Sequence, residues 1–256
     1  MFRQVSWCAV MNKVYYLYGR EKGFDEVKSF IEQYYKNIIK NPKDRYNIIL
    51  RYIPPKAHVL DYGCGWGIFS KMLSDKGCYV DGIDTDKNSI DIAKDIIKEN
   101  KFLKFKHTSI TEIRDETYDY VVSNQVIEHT HNPGNYLMGC NRVLKNNGYL
   151  VISLPNIINT RYFAGQLADF NKKFINYFRD FRYDKTHDHI QAWDPLTFMT
   201  LLYSTGFKYV SHEFMEGIPL PKGKYINMKI PRIKSLSYTM MYKVQKKMFV
   251  GIKPED

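Results

Sequence analysis

The chain has 256 residues, 44% hydrophobic and 25% charged. These values are close to those of ordinary globular proteins, so the composition excludes disordered, collagen-like and coiled-coil chains. Lysine and arginine number 38 against 27 acidic residues, a net charge of +11, which favours anionic partners such as phosphorylated substrates, nucleic acid or an acidic membrane surface. No apolar run reaches about 18 residues, so no transmembrane helix is expected.

The four cysteines are spread through the chain and show no CxxC spacing. This spacing signals neither a zinc site nor a disulfide framework. The cysteines therefore predict a reduced, cytoplasmic setting.

The first 55 residues predict an N-terminal helical segment. Asp25 is in position to cap a helix whose apolar residues recur every three or four positions up to Ile38. Asn41 and Pro42 look like the N-cap and first residue of a second helix, which would end at the Pro54-Pro55 pair.

The pattern then changes to short apolar strands that alternate with helices. Strands are predicted at residues 57–61, 78–84, 102–107, 118–123, 149–154, 207–214 and 246–252. Asp194 and Pro195 predict the start of a helix that Gly206 ends. This alternation predicts an α/β fold with a doubly wound, mostly parallel seven-stranded sheet and right-handed crossovers. We expect residues 56–256 to form this domain, after the helical segment 1–55.

Two segments depart from this alternation of strands and helices. Residues 156–193 are rich in aromatic and basic residues and predict a lid inserted over the carboxyl edge of the sheet, with Tyr162 and Phe163 near the pocket. Residues 217–245 contain six basic residues and no acid, which predicts a basic insertion. Its apolar run, residues 236–244, lies beside lysines and is compatible with an interfacial element.

A glycine turn joins the first strand to the following helix. Gly63, Gly65 and Gly67 let the backbone adopt positive φ and approach a ligand closely. The spacing is GxGxG, with Ile68 where a dinucleotide fingerprint has its third glycine, and no P-loop lysine follows. Asp84 ends the next strand, at a distance that suits a grip on ribose hydroxyls. The turn therefore predicts a site for an adenosine ligand without a pyrophosphate.

Four stretches carry a family resemblance: residues 59–67, 82–84, 118–133 and 142–153. They resemble the motifs of class I S-adenosylmethionine-dependent methyltransferases, and the similarity extends over roughly residues 55–215. Residues 188–190 and 201–207 are similar to a subgroup that includes ubiquinone-biosynthesis and sugar methyltransferases. The resemblance implies the Rossmann-like methyltransferase fold, with S-adenosyl-L-methionine as cofactor.

The resemblance also implies roles by position. The three glycines would line the methionine part of the cofactor, Asp61 would hold its ammonium group, and Asp84 would bind the ribose. Ser109 departs from the family, which often has an aspartate or asparagine there to reach the adenine, although its hydroxyl can still accept a hydrogen bond. The remaining cofactor-binding positions are the backbone of Ile110 and the strand end at Asn124.

Methyl transfer needs an aligned nucleophile and a base for its proton. Histidine suits this role because its pKa lies near working pH. The two candidates are His129, after the fourth strand, and His189, near the same rim. No metal-binding motif is present, and we expect no metal. Residues Asp184, His187 and Asp188 with His189 indicate a solvated loop rather than a metal site.

These observations favour a small-molecule O-methyltransferase that acts on a sugar hydroxyl of a nucleotide- or lipid-linked glycan. The alternatives are a quinone-type or other aromatic acceptor, RNA, and a cofactor-binding module without turnover. The basic surface is compatible with a phosphorylated or lipid-linked substrate and with peripheral membrane contact. Because no RNA-binding module is evident, nucleic acid is disfavoured. The sequence does not set the oligomeric state.

Overall fold

The structure, a computed structural model, describes residues 21–158, 189–215, 218–219, 225–226, 237 and 239–247. The helices in this part are α1 Glu21–Lys40, α2 Arg45–Leu50, α3 Ile68–Asp75, α4 Lys87–Ile92, α5 Pro133–Val143 and α6 Pro195–Ser204. The strands are β1 His58–Tyr62, β2 Tyr79–Asp84, β3 Leu103–His107, β4 Tyr118–Asn124, β5 Leu144–Pro155, β6 Phe207–Met215, β7 Ile218–Pro219, β8 Tyr225–Ile226 and β9 Thr239–Lys246. Short helical turns lie at Ala93–Ile97, Ile110–Glu112 and Ile127–His129.

Seven strands form one sheet in the order β3-β2-β1-β4-β5-β9-β6. Strand β9 runs antiparallel to both of its neighbours, while β1 to β5 pair in parallel. The expected mostly parallel, seven-stranded sheet is therefore confirmed. Strands β2 and β3 follow β1 toward one edge of the sheet, whereas β4 pairs on the other side of β1 and β5 follows it toward the opposite edge. The strand order therefore reverses between β1 and β4. In open α/β sheets, ligands bind at the carboxyl ends of the strands at such a switch point.

Helices cover both faces of the sheet, as a doubly wound fold requires. One apolar core joins α3 and α4 to the sheet and includes Ile31 of α1 and Ile49 of α2. The second core joins α5 and α6 to the other face through residues such as Leu137 and Phe198. The N-terminal helices therefore pack on the same core as the βα units.

Both predicted N-terminal helix starts are wrong. The described part of helix α1 already starts at Glu21, so Asp25 lies inside the helix. Helix α2 begins at Arg45, because Asp44 caps it by accepting a hydrogen bond from the Tyr46 backbone N–H at 3.0 Å. Asn41 makes a similar bond within the preceding turn, where its side chain accepts from the Lys43 backbone N–H. Two successive Asx-type turns look alike in sequence, and only the second leads into a helix.

The last strand that the structure describes, β9, spans Thr239–Lys246 and shares only Lys246 with the predicted strand 246–252. Residues 248–252 lie outside the described part of the chain. The apolar side chains of β9 are buried between β5 and β6, and they include Met240, Met241, Tyr242 and Val244. This burial overturns the interfacial interpretation of residues 236–244. A strand covered on both faces is an apolar run rather than an alternating one, and the neighbouring lysines gave it an amphipathic appearance.

The carboxyl end of the predicted basic insertion, residues 239–245, belongs to strand β9. Lys243, counted among the insertion's cations, lies in this strand with its ammonium nitrogen 4.4 Å from the Tyr149 ring centre and 5.3 Å from that of Tyr120. Burial lowers the pKa of Lys243. This cation therefore packs on the sheet, and most of residues 217–238 lie outside the described part of the chain.

Candidate active site

The glycine turn lies at the switch point, between the end of β1 and the start of α3. Gly63, Gly65 and Gly67 all have positive φ, at 77°, 51° and 76°, as their spacing predicted. The backbone N–H groups of Gly63 and Cys64 donate to the Ile83 carbonyl of β2 at 2.8 and 3.0 Å. The turn is thereby fixed against the neighbouring strand.

The three glycines serve different purposes. A Cβ on Gly63 would lie 2.5 Å from a Val126 methyl group, and one on Gly67 would lie 2.4 Å from the Phe105 ring. A Cβ on Gly65 would meet nothing within 4 Å. Gly63 and Gly67 are therefore required for packing, whereas Gly65 presents bare backbone to open space where a ligand can approach.

Asp84 connects the turn to the end of β2. One of its carboxylate oxygens accepts a hydrogen bond from the Gly65 N–H and the other from the Asp86 N–H, both at 2.9 Å. Burial raises the pKa of Asp84, although these backbone N–H groups oppose the rise. The structure thus brings Asp84 next to Gly65, as expected of the two motifs.

Asp61 lies beneath the turn, at the end of β1. It is buried and accepts a hydrogen bond from the Ser70 hydroxyl of α3 at 2.6 Å. Burial raises the pKa of Asp61 to about 7; the Ser70 bond opposes this, and the charge of Asp84 adds to it. A buried carboxyl group whose pKa is raised by burial and by a neighbouring acid favours a cation beside it.

Ser109 and Ile110 lie beyond the end of β3. The Ser109 hydroxyl accepts hydrogen bonds from the Thr111 backbone N–H at 3.3 Å and from the Thr111 hydroxyl at 3.0 Å, so it caps the turn Ile110–Glu112. The side chain of Ile110 is buried, and its carbonyl accepts from Arg142 at 2.7 Å. Both residues are therefore held firmly near the edge of the site by contacts of their own.

The end of β4 faces the glycine turn. Asn124 accepts a hydrogen bond from the Ser153 hydroxyl at 2.5 Å. The next residue, Gln125, has φ 58°, and its Nε2 is buried without a hydrogen-bond partner among the described residues. A non-glycine residue in this conformation carries backbone strain, which is common at functional sites.

Glu128, His129 and His189 form a cluster just beyond β4. A carboxylate oxygen and one nitrogen of each imidazole all lie within 4.8 Å of one another. The two imidazole rings make an edge contact, with centres 4.9 Å apart. The structure therefore brings together the two histidines that sequence analysis singled out. Side chains of these types can handle protons or hold a metal ion.

Glu128 has no assigned role in the sequence analysis. Its side chain is 0% exposed, and neither carboxylate oxygen has a hydrogen-bond partner among the described residues. Burial raises the pKa of Glu128 to about 8. The signal that could have found it is an acid directly after the apolar pair Val126-Ile127, where solvation is poor.

Both ends of the aromatic insertion are tied to this rim. Asn156 and Trp193 form a β-bridge, and the Ile157 N–H donates to the Trp193 carbonyl at 3.2 Å. The carbonyl of Glu128 accepts from the N–H groups of Ile190 and Gln191 at 2.9 and 3.0 Å. The insertion therefore leaves and returns beside the cluster. The proposed pocket residues Tyr162 and Phe163, and the acid and histidine positions 184, 187 and 188, lie outside the described residues.

A second crevice, of about 1140 Å³, lies beside the amino end of β4. Acidic and basic side chains line it in equal number, among them Asp81, Lys106, Glu116 and Arg142. It contains neither the glycine turn nor the histidines, so we do not assign the chemistry to it. Across the part of the chain that the structure covers, no helix has the length and apolarity to cross a bilayer.

A family model described as a methyltransferase domain matches residues 30–212, which is more than half of the chain. The chain is 28% identical over 173 residues to a ubiquinone biosynthesis O-methyltransferase of Rickettsia typhi, covering 67% of this chain and 66% of that protein. It is 29% identical to the Rickettsia conorii protein of the same name, covering 59% of this chain and 50% of the relative. The chain thus spans about half to two thirds of these relatives.

The fold is also similar to solved structures. An S-adenosylmethionine-dependent methyltransferase from Methanosarcina mazei superimposes with a TM-score of 0.58 at 20% sequence identity, covering 80% of this chain and 100% of that one. At this identity the likeness concerns the fold alone. It is consistent with the mostly parallel seven-stranded sheet and its one antiparallel hairpin.

Proposed function

This chain belongs to the class I S-adenosylmethionine-dependent methyltransferases, and on that premise we propose that it methylates a hydroxyl of a small quinone-type or other aromatic acceptor. The single observation that carries the acceptor class is the similarity to relatives named ubiquinone biosynthesis O-methyltransferases. The sugar hydroxyl that sequence analysis favoured has no counterpart among them. We therefore prefer the alternative acceptor.

The cofactor is S-adenosylmethionine, and the residues of the turn fit it. Gly65 offers bare backbone, and the Asp84 carboxylate lies beside it at 2.9 Å. We propose that Gly63, Gly65 and Gly67 form the cradle, that Asp84 binds the ribose hydroxyls, and that Asp61 attracts the ammonium group. Ser109, the Ile110 backbone and Asn124 would complete the cofactor site.

When bound, S-adenosylmethionine supplies a methyl group on a positively charged sulfur. The protein's task is to align the acceptor oxygen and to remove its proton. We propose that His129 or His189 is the base, because both face the rim at the carboxyl end of β4. Tyr162 and Phe163 remain proposed acceptor contacts.

Phosphorylation or lipid linkage of the substrate, and peripheral membrane contact, have no support from the described residues. We therefore restrict the acceptor to a small molecule with a free hydroxyl.

The acceptor class can be tested by labelling. A cell extract is incubated with the full chain and S-adenosylmethionine carrying a deuterated methyl group, and small molecules, RNA and protein are analysed separately by mass spectrometry. We expect the label in an aromatic small molecule, as an O-methyl group. Label in a sugar or in RNA, or binding of the cofactor without labelling of any fraction, would overturn the proposal.

A further inference from the structure

We propose that Glu128 is a positioning residue for methyl transfer, whose buried carboxylate holds the imidazole that takes the proton of the acceptor. The inference rests on the proposed function, since it concerns the base for that reaction. Three observations carry it: the burial of Glu128 with no hydrogen-bond partner for its oxygens among the described residues, its distance from the histidines, and the backbone bonds that its carbonyl accepts from residues 190 and 191.

The first observation is energetic. A buried carboxylate without a hydrogen bond is costly, and native proteins keep such groups where they have a function or a charged partner. Glu128 is fully buried, and among the buried acids of the described residues it is the one whose two oxygens both lack a hydrogen-bond partner. Structural stability therefore does not account for its presence.

The second observation is geometric. A carboxylate oxygen of Glu128 lies within 4.8 Å of a nitrogen of His129 and of His189. At this separation a carboxylate stabilises the protonated imidazole. The acceptor O–H would give its proton to an imidazole nitrogen, and the oxygen would use the electron pair it keeps to bond the methyl group. The methyl–sulfur bond would break, its electron pair leaving with the sulfur in S-adenosylhomocysteine, while the carboxylate balances the imidazolium.

The third observation links this side chain to the insertion. The carbonyl of Glu128 accepts both the Ile190 and the Gln191 N–H groups. These residues directly follow His189, so one residue fixes the second histidine through its backbone and faces it with its carboxylate. His129 is the neighbour of Glu128 in the chain, and Glu128 thus sets the position of both imidazoles.

Other elements also present titratable groups to Glu128. Arg45 of α2 lowers its pKa. The pKa of Tyr136 of α5 is raised mainly by burial and to a smaller degree by the charge of Glu128. Burial is the largest influence and raises the pKa of Glu128 to about 8. Arg45 and a protonated histidine both favour the ionised carboxylate, whereas burial disfavours it.

The test is an NMR titration of the histidine C2 protons in the full chain, in EDTA, with His129→Gln and His189→Gln used for assignment. We expect Glu128→Gln to lower the pKa of His129 or His189 by about one unit. The Glu116→Gln control, an exposed glutamate before β4, should leave both unchanged. Glu128→Asp, which keeps the charge, should recover part of the shift. Unchanged pKa values of both histidines in Glu128→Gln would overturn the proposal.

Turnover gives a second readout. In the labelling reaction, Glu128→Gln should reduce the initial rate at least about tenfold and leave the dissociation constant of S-adenosylmethionine within about twofold. Because the NMR titration needs no acceptor, a pKa shift without any labelled product would reject the proposed function alone. If zinc or magnesium ions bind stoichiometrically to the wild type but not to Glu128→Gln, and turnover requires them, the cluster is a metal site and the proposal is wrong.

Discussion

The Asp84 carboxylate accepts a hydrogen bond from the Gly65 N–H at 2.9 Å. This contact joins the end of β2 to the one glycine of the turn that faces open space. The acid and the bare backbone therefore act as one unit, and a change at either residue should affect the cofactor.

In the glycine turn, stability and cofactor binding should depend on different glycines, so substitutions can separate the two effects. Gly67→Ala should lower the free energy of unfolding by about 2–4 kcal/mol, because its Cβ would clash with Phe105 in a positive-φ position. Gly65→Ala should cost only about 1 kcal/mol of stability, yet weaken S-adenosylmethionine binding strongly, since its Cβ would enter the open space. Urea unfolding and calorimetry measure the two effects. Equal losses of stability in both variants would contradict this division.

Cofactor binding should depend on pH through Asp61. Its pKa is raised to about 7, so below pH 7 it is mostly protonated and must release a proton to pair with an ammonium group. We expect affinity for S-adenosylmethionine to rise about tenfold from pH 6 to pH 8. Asp61→Asn should bind more weakly and lose most of the pH dependence. Calorimetric titration from pH 6 to pH 8 measures the affinity. A wild-type affinity that falls as the pH rises would contradict the role of Asp61 in binding the ammonium group.

The two histidines should affect turnover more than binding. Replacing the base with alanine should lower kcat by about 10²–10⁴-fold, while the dissociation constant of S-adenosylmethionine stays within a few-fold. His129→Ala and His189→Ala are compared by the rate of S-adenosylhomocysteine formation in the labelled extract. His58→Ala, at the start of β1 on the opposite edge, serves as the control. Full activity in both variants would show that neither imidazole takes the proton.

The position of β9 can be tested through stability. Met241 is fully buried in this strand, so Met241→Ala should lower the free energy of unfolding by about 2–5 kcal/mol. Met138→Ala, at a position 39% exposed on α5, should change it by less than about 1 kcal/mol. Denaturant titration compares the two. A silent Met241→Ala would support the interfacial interpretation that the structure overturned.

Local patterns were sufficient to predict much of this fold. The glycine spacing and Asp84 predicted the turn and its neighbour because both lie within one βα unit. The cluster around Glu128 was not predictable in the same way, since His189 lies 61 residues after Glu128 in the sequence. Backbone bonds from residues 190 and 191 bring it to Glu128 in the fold. Strand β9 was assigned to the basic insertion because a strand buried on both faces lacks alternation.

The most direct test is calorimetric titration of the wild type and Asp84→Asn with S-adenosylmethionine, with NADH as a comparison ligand. We expect one molecule of S-adenosylmethionine per wild-type chain, binding about 10- to 100-fold weaker in Asp84→Asn, and no NADH binding. Asp91→Asn, a change at a half-buried residue of α4 that pairs with Lys87, should bind as the wild type does. An absence of heat with S-adenosylmethionine, or tight binding of NADH at the same turn, would contradict the assignment of this site.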